Sequence, residues 1–561
     1  MKRRTFTISI ISTILSAACG DGGSAPQGAT SSGSTSGGNT PRTGKEAALD
    51  AMRRAARFMS EEVAYMGGYV WSYLPDLSRS WGEMEAKRTM LWVQPPGTPS
   101  MGHLYLDAYH ATKEELFYTA AEQVALALIE AQHPAGGWNY IHDFAGEESL
   151  KQWYDTIGKN GWRLEEFQHY YGNATFDDAG TAVASQFLLR MYLERKDERF
   201  QGPLDKAIGF VVKSQYEGGG WPQRFPLMGK DGMPDYTSDV TFNDDVAGEN
   251  IKFLILCYMG LGRTELLDNI QRAMDNFVAM QQPAPQAAWG LQHTLEGVPV
   301  GARTYEPAAL TTHTTATNVQ QLLNFYRLTG DEKYIARVPE ALDWLDSVKL
   351  PPDLAEKFGR THPTYIELGT NEALYVHRRG SNVVNGEYYY DKNPDKPIGH
   401  YSQAREIDVA AIRKRHDELR AIPMGEVATG SPLKITGTGA LPQYFSLREV
   451  KLDDLYVGSK MTTPPVTEEE ARKLVDALDP KGYWPTKLEY TTNPYIGPGT
   501  SEPFTGDTYA TTHVGDRNDT SPYDPTKAPA NYPPEEQVIG ISVDGFIKSM
   551  GVLIAYVSPV A

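Results

Sequence analysis

The chain has 561 residues, and 53 Lys and Arg stand against 71 Asp and Glu, so its formal net charge is −18 at pH 7. Hydrophobic residues make up 40% and charged residues 22%, which excludes a disordered or collagen-like chain. An acidic chain without a basic run is a poor partner for nucleic acid, because phosphate contacts need clustered Lys and Arg. Length and composition therefore predict a globular protein, either several domains or one large toroid or barrel.

The N-terminus has the pattern of an export signal. Three basic residues precede an apolar run, and small residues stand directly before Cys19. Residues 1–18 are predicted to be a signal peptide of the lipoprotein type, with a lipid on Cys19, and plain secretion is the alternative. Residues 19–44 are rich in Gly, Ser and Thr and are predicted to be a flexible tether. We expect a protein on the cell surface or in the periplasm that contacts a membrane only through this lipid.

Helical periodicity, interrupted by Gly, Pro and Trp, dominates residues 45–380. The periodicity predicts helices at Leu116–Gln132, Thr181–Glu194, Leu204–Gln215, Val246–Met259, Leu266–Gln281, Ala316–Leu328 and Lys333–Val348. These helices come in pairs joined by short loops, and long alternating strands are scarce. Helix hairpins repeated around an axis predict a mainly α fold, an (α/α) toroid, over residues 45–380. Residues 381–561 are predicted either to wrap around the toroid or to form a small appended domain.

A loop that runs from Gln to Trp follows three of these helices. Its copies are residues 132–138, 215–221 and 282–289. In one interpretation the Gln side chain caps the end of the helix and the Trp packs beneath it. In the other, the rings line a sugar-binding rim, because exposed Trp stacks well on the apolar face of a sugar. The sequence leaves both interpretations open.

Acidic residues gather directly before two of the predicted helices. Asp177 and Asp178 precede the helix from 181, and Asp244 and Asp245 precede the helix from 246. A single Asp at a helix start is an ordinary N-cap. Two doublets contain more carboxylates than two N-caps need. Equivalent helix starts lie on the same rim of a toroid. Converging carboxylates suit Ca²⁺, or they form an acid and base pair.

Arginines stand on loops that we expect at the same rim. Arg224 follows one Trp loop, and Arg303 and Arg378 lie after later hairpins. A lone surface Arg usually forms an ion pair or covers apolar surface with its stem. A protein of negative net charge, however, needs local Arg forks, with a bridging cation, to hold an anionic substrate. Arg224 is therefore a candidate substrate-binding residue.

Taken in order, these stretches resemble the pectate lyases of polysaccharide lyase family 10. The stretches that carry the resemblance are Gly67–Tyr69, Trp92–Pro99, Gly136–Trp138, Ala174–Asp178, Gly219–Gln223, Thr241–Asp244, Ala302–Pro307 and Glu367–Asn371. The resemblance covers about residues 45–380. It implies an (α/α) toroid, in agreement with the helix hairpins. It also implies calcium-dependent β-elimination of α-1,4-linked polygalacturonate.

The resemblance also implies roles for individual residues. Asp177 and Asp244 match the carboxylates that hold calcium in this family. Arg303 matches the base that takes the proton from C5 of the sugar, and Arg378 matches an arginine that binds the substrate carboxylate. Asp178 stands where the family commonly has Asn, so it is expected to contact the substrate or to act as a further calcium ligand.

Two positions depart from the family's pattern. Thr364 stands where an Arg that binds substrate is usual, and Thr294 stands where an Asp is common. These departures keep other hypotheses open beside the pectate lyase. One is a surface glycan-binding protein on the same toroid without turnover, and another is a lyase for a different uronan. A third is a glycoside hydrolase that uses the paired carboxylates as acid and base.

Overall fold

The computed structural model describes residues 44–158, 165–227, 235–379, 387–395, 397, 402–434, 440–459, 461, 465–488 and 539–558. The predicted signal peptide, Cys19 and residues 20–43 of the predicted tether lie outside these ranges. Within them, no helix combines the length and the apolar composition that a membrane span needs.

Helices form most of the described structure. They are α1 (Gly44–Arg57), α2 (Thr98–Thr112), α3 (Glu115–Glu130), α4 (Glu147–Thr156), α5 (Glu165–Gln168), α6 (Gly180–Arg195), α7 (Glu198–Ser214), α8 (Val246–Leu261), α9 (Leu267–Ala279), α10 (Thr312–Thr329), α11 (Val338–Ser347), α12 (Pro352–Phe358), α13 (Val409–Arg420), α14 (Glu468–Ala477) and α15 (Val543–Val557). Each helix predicted from the periodicity is present. The predicted start of α7 was six residues late, because the Asp197 carboxylate caps the helix at the backbone N–H of Arg199 and the helix continues through Pro203.

The strands are short and pair in small antiparallel sheets. They are β1 (Ser72–Tyr73), β2 (Ser80–Trp81), β3 (Glu85–Ala86), β4 (Met90–Trp92), β5 (Ile141–Asp143), β6 (Ala174–Thr175), β7 (Arg224–Phe225), β8 (Val240–Thr241), β9 (Gln292–His293), β10 (Pro299–Val300), β11 (Leu310–Thr311), β12 (His362–Pro363), β13 (Tyr365–Ile366), β14 (Ala373–Arg379), β15 (Glu387–Asp391), β16 (Ala404–Arg405), β17 (Thr486–Lys487) and β18 (Ile539–Ser542). The sheets have the strand orders β17-β18-β1-β2-β3, β10-β9-β8, β11-β13-β14-β15, β12-β16, β4-β5 and β6-β7.

The hairpins α2–α3, α6–α7, α8–α9 and α10–α11 each contribute one inner and one outer helix. In the inner helix α8, every residue from Val246 to Met259 is buried. Its outer partner α9 buries only one stripe, with Ile270, Ala273 and Phe277 at helical spacing. Inner helices contact one another in sequence, α2 with α6 and α6 with α8. This double ring of helices confirms the predicted (α/α) toroid.

The chain beyond residue 380 packs on the same helices. Helix α15 contacts α2 and α1, and α14 contacts α1 and α15. Phe546 and Leu553 of α15 belong to the same apolar cluster as Met52 of α1 and Leu104 of α2. The described part of the C-terminal region therefore shares a core with the N-terminal hairpins.

The Trp residues of the three loops are clamps inside the protein. Trp138, Trp221 and Trp289 are fully buried. Each indole Nε1 donates to a main-chain carbonyl of the helix before its loop, as Trp221 does to Val211 at 2.8 Å. The interpretation of these rings as a sugar-binding rim is therefore wrong, because none of them reaches the surface.

The Gln side chains link each loop to the next outer helix. Gln215 donates to the carbonyls of Gly219 in its own loop and Asn269 in α9, both at 2.9 Å. In the third loop this role belongs to Gln281, one residue before the Gln expected from the sequence. A fourth copy, in which Trp484 donates to the carbonyl of Leu474, follows α14 and packs on α1.

Candidate active site

Two turns with the same backbone path lie side by side at the starts of α6 and α8. They are residues 176–179 and 242–245, and their central segments contact each other. Asp178 and Asp244 both have a φ of 50°, and the residue after each has a φ of 59° and 55°. A left-handed conformation costs a non-glycine residue about 1–2 kcal/mol. Strain repeated at two equivalent positions indicates a functional constraint.

The acids of these turns do not act as helix caps. Ala179 occupies the cap position of α6 and Asp245 that of α8, and neither makes a side-chain hydrogen bond to its helix. N-capping, the ordinary role of an Asp before a helix, therefore does not explain these residues. The doublets instead place carboxylates beside the positive ends of two inner helix dipoles.

Three carboxylates converge between the two turns. Asp177, Asp178 and Asp244 each offer an oxygen, and these oxygens lie within 4.8 Å of one another. Asp177 is fully buried, while the other two are partly buried. Converging carboxylate oxygens are the hard donors that Ca²⁺ prefers, and the strained turns hold them together. The donor set therefore fits a hard divalent cation.

Asp178 is oriented by the loop after β4. Gln94 donates from Nε2 to Asp178 Oδ2 at 2.6 Å, and Trp92 donates from Nε1 to Gln94 Oε1 at 2.9 Å. Both residues belong to the stretch 92–99 that carries part of the family resemblance. That stretch thus reaches the carboxylate cluster through one hydrogen-bonded amide.

Arg303 lies buried beside this cluster and contacts three carboxylates. Its Nη2 donates to Asp177 Oδ2 at 2.5 Å, its Nη1 to Glu306 Oε1 at 3.2 Å and its Nε to Glu166 Oε2 at 3.2 Å. The side chains of Arg303, Asp177 and Glu306 have no exposed area, and that of Glu166 is 1% exposed. Each nitrogen of the guanidinium therefore faces a different carboxylate, and all of these side chains are buried.

A tight turn holds Arg303 and Glu306 together. The backbone N–H of Arg303 donates to Glu306 Oε2 at 3.0 Å, and the N–H of Glu306 donates back to the carbonyl of Arg303 at 2.7 Å. Glu166 comes from α5, far away in sequence. Arg303 is therefore anchored both by its own turn and by a distant helix.

Tyr140 joins the aromatic core to the carboxylates. Its hydroxyl donates to Asp177 Oδ2, and its ring is buried. Burial, followed by the charges of Asp177, Glu166 and Asp178, raises the pKa of Tyr140 well above its ordinary value. The phenol therefore stays protonated and acts as a hydrogen-bond donor to the cluster.

Arg224 lies one aromatic ring away from the cluster. Its guanidinium lies over the rings of Tyr140 and Tyr171, at 5.4 and 4.4 Å from their centroids. Its Nη1 donates to the amide oxygens of Asn139 and Asn173 at 3.2 and 3.3 Å. The side chain is 2% exposed, so rings and amides hold its charge in the structure.

The side chain of Arg378 lies outside the described part of the structure. Its backbone belongs to β14 and pairs with Tyr388 of β15. The Tyr388 ring lies 5.5 Å from that of Tyr305, in the turn that holds Arg303. The backbone thus places Arg378 on a strand that neighbours the Arg303 turn.

Thr364 is buried and supports a strand from the C-terminal region. Its hydroxyl donates to the carbonyl of Ser402 at 2.5 Å, and its backbone N–H donates to the carbonyl of Gln403 at 2.9 Å. Arg405 follows on β16, and its charge acts with burial to lower the pKa of His313. A further arginine from beyond residue 380 thus lies near the start of α10.

Several residues of this site were not identified from the sequence. Glu306 lies in the stretch Ala302–Pro307, and its position three residues after Arg303 was a signal that the two side chains could pair. Tyr140, two residues after a buried Trp, carried a weaker signal. Glu166 carried no signal, because only the fold brings α5 to this place.

A comparison with protein families supports this picture. Residues 151–357 match the family model described as pectic acid lyase, and they include both acidic turns, Arg224 and Arg303. By class, the protein is a polysaccharide lyase. The match confirms the resemblance to the pectic acid lyases for that part of the chain. No curated protein sequence matches the chain.

Parts of the chain are similar to several solved structures. A mutant of the family 10 polysaccharide lyase from Cellvibrio cellulosa, in complex with trigalacturonic acid, is 18% identical, with a TM-score of 0.34, over 49% of this chain and 86% of that one. A second structure of this lyase is 17% identical, with a TM-score of 0.34, over 50% and 81%. An unsaturated glucuronyl hydrolase specific for heparin is 12% identical, with a TM-score of 0.33, over 54% and 67%.

Proposed function

We propose that this protein is a calcium-dependent pectate lyase that cleaves α-1,4-linked polygalacturonate by β-elimination. The observation that carries the proposal is the convergence of Asp177, Asp178 and Asp244 beside the buried Arg303. This convergence lies within the segment that matches the pectic acid lyases. We further propose that the protein is exported and anchored by a lipid on Cys19.

In this proposal the three carboxylates hold Ca²⁺, with Asp177 and Asp244 as the principal ligands. Bound calcium supplies positive charge that stabilises the uronate carboxylate as negative charge develops next to it. Arg378 and Arg224 bind carboxylates of the polymer. Because substrate and protein are both anionic, these local positive charges are needed for binding.

Arg303 takes the proton from C5 of the sugar whose C4–O bond is broken. The C5–H bond breaks, and its electron pair forms the C4=C5 double bond. The C4–O bond breaks with its electron pair on the oxygen, which takes up a proton and becomes the new reducing end of the adjoining sugar. Arg303 can accept this proton only in its neutral form, after its guanidinium has lost a proton, because the charged form has no acceptor.

The test is the ultraviolet absorbance of the unsaturated product. The full chain is mixed with polygalacturonate at alkaline pH, with Ca²⁺ and then with excess chelator. We expect a rise with Ca²⁺ that the chelator abolishes. Arg303→Ala is expected to lower turnover by several orders of magnitude, because the lost group acts in the transition state. Arg272→Ala, the same change on the exposed face of α9, is the matched control.

Other outcomes identify the alternatives. Binding of polygalacturonate without an unsaturated product favours a glycan-binding protein. An unsaturated product from another uronan alone favours a lyase of different specificity. Saturated reducing ends formed without Ca²⁺ contradict the elimination and favour a hydrolase.

A further inference from the structure

Asp177 belongs to two groups of side chains at once. It is one of the three carboxylates that converge between the acidic turns. The same carboxylate accepts hydrogen bonds at Oδ2 from Arg303 Nη2, at 2.5 Å, and from the Tyr140 hydroxyl. Asp177 would therefore contact a cation bound among the three carboxylates, and it is also a hydrogen-bond acceptor for the guanidinium of Arg303.

The charges around Asp177 favour a cation. Among the described side chains of this site, Arg303 faces three carboxylates, and Asp178 and Asp244 add two more. The single positive charge of Arg303 does not balance five carboxylates, and Arg224 lies one aromatic ring away from them. In a buried site each further positive charge near these carboxylates is stabilising, and a divalent cation supplies two.

Arg303 does not depend on Asp177 for its position. Glu306 holds the guanidinium at 3.2 Å and also binds the backbone N–H of Arg303 at 3.0 Å. Glu166 holds Nε from another side at 3.2 Å. Loss of the contact with Asp177 thus leaves two carboxylates that hold the guanidinium in place.

We propose that Arg303 and the bound cation compete for the carboxylate of Asp177. Cation binding turns Asp177 away from Arg303, while Glu166 and Glu306 keep the guanidinium in place. Cation binding and the hydrogen bonding of Arg303 are then coupled through Asp177. This inference rests on the calcium site of the proposed function.

The test measures Ca²⁺ binding by isothermal titration calorimetry on the full chain. Arg303→Met removes the competitor from Asp177 and is expected to bind Ca²⁺ at least tenfold more tightly than the wild type. The matched control is Arg224→Met, which removes a nearby buried charge that touches the Tyr140 ring but is not bonded to Asp177. Its affinity is expected to rise less than threefold. Equal rises in both variants contradict the proposal, since general electrostatics then suffices.

A second variant removes no charge and tests the same carboxylate. Tyr140→Phe deletes only the hydroxyl that donates to Asp177 Oδ2. We expect a rise in Ca²⁺ affinity of about twofold to fivefold, because the carboxylate is released from one of two competing donors. A fall in affinity contradicts the proposal, since the hydroxyl then orients Asp177 for the cation. This variant keeps the test decisive where Arg303→Met does not fold.

The outcome separates this inference from the proposed function. No Ca²⁺ binding by the wild type overturns the competition, whatever the absorbance assay shows. Ca²⁺ binding with the expected order of affinities supports the competition even where polygalacturonate is not cleaved. The calorimetric readout does not depend on turnover.

Discussion

At the scale of single residues, burial decides what the charged groups of this protein do. Arg303, expected at a rim, is buried among three carboxylates, and Arg224 is buried among rings and amides. Each such group must be satisfied by specific partners, because an isolated buried charge is strongly unfavourable. These partners hold Arg303 and Arg224 in place before any substrate arrives.

Asp239, just before β8, allows a test of burial through pH. Burial, followed by the charge of Asp235, raises the pKa of Asp239 to about 6. The native state thus favours the protonated carboxyl, and the resulting stability is fully present below the ordinary pKa of about 4 and is lost as the pH rises through 6. In the variant Asp239→Asn this side chain does not ionise, so the variant does not lose stability as the pH rises. We expect it to be more stable than the wild type by about 1–2 kcal/mol at pH 8 and about equal to it at pH 4.

The measurement for this prediction is urea denaturation at both pH values. Asp268→Asn, on the exposed face of α9, is the control. It should leave unchanged the difference in the free energy of unfolding between pH 4 and pH 8. A stability gain for Asp239→Asn of the same size at both pH values would contradict the assigned titration.

At the scale of elements, the Gln–Trp loops join neighbouring hairpins. In each loop a Gln side chain hydrogen-bonds the end of one outer helix to the next outer helix, and a buried Trp donates to the helix before the loop. The sharp turn brings a glycine against the next helix. A Cβ on Gly219, whose φ is 95°, would lie 2.0 Å from the carbonyl of Arg272. The loops thus determine how successive hairpins follow the ring.

Gln215→Leu tests this role of the loops. The change leaves the carbonyls of Gly219 and Asn269 without their donor, and each buried carbonyl without a partner costs about 1–3 kcal/mol. We expect the free energy of unfolding to fall by at least that amount, with lyase activity at low temperature unchanged. Denaturation and the absorbance assay measure both. Gln123→Leu, on the exposed face of α3, should change neither, and an equal loss in that control would contradict the assignment.

At the scale of the whole molecule, a buried ion pair connects the toroid to its C-terminal region. Asp107 of α2 pairs with Arg190 of α6 at 2.6 Å. It also accepts from the backbone N–H groups of Phe445 and Ser446 at 2.9 and 2.7 Å. The Phe445 ring stacks on His103 and under Arg190. Removal of Asp107 therefore affects two inner helices and a segment far away in sequence.

Asp107→Ala is expected to lower stability by about 3–5 kcal/mol, because Arg190 then stays buried without a carboxylate. The segment 440–459 should also become more sensitive to protease. The double variant Asp107→Leu with Arg190→Met should recover global stability but not protection of the segment, since two backbone N–H groups still lack an acceptor. Denaturation and limited proteolysis measure these effects, and Asp268→Ala is the control. Equal protection in Asp107→Ala and wild type would contradict the anchor.

The amino-acid sequence by itself determined the helices, their pairing and the positions of the acidic doublets and Arg303. These features depend on residues close together along the chain, where periodicity and turn chemistry are sufficient signals. The closing of hairpins into a toroid followed from their number and short loops. The alternative roles of the Trp rings stayed open, because a sequence does not tell a buried ring from an exposed one.

Only the tertiary structure decided which distant groups meet. Asp177 and Asp244 converge because α6 and α8 start side by side, and Glu166 reaches Arg303 although 137 residues separate them. The Trp rings became clamps because each is buried and donates to a main-chain carbonyl of the helix before its loop. Such contacts depend on how hairpins pack around the ring, and local sequence patterns carry no signal for that packing.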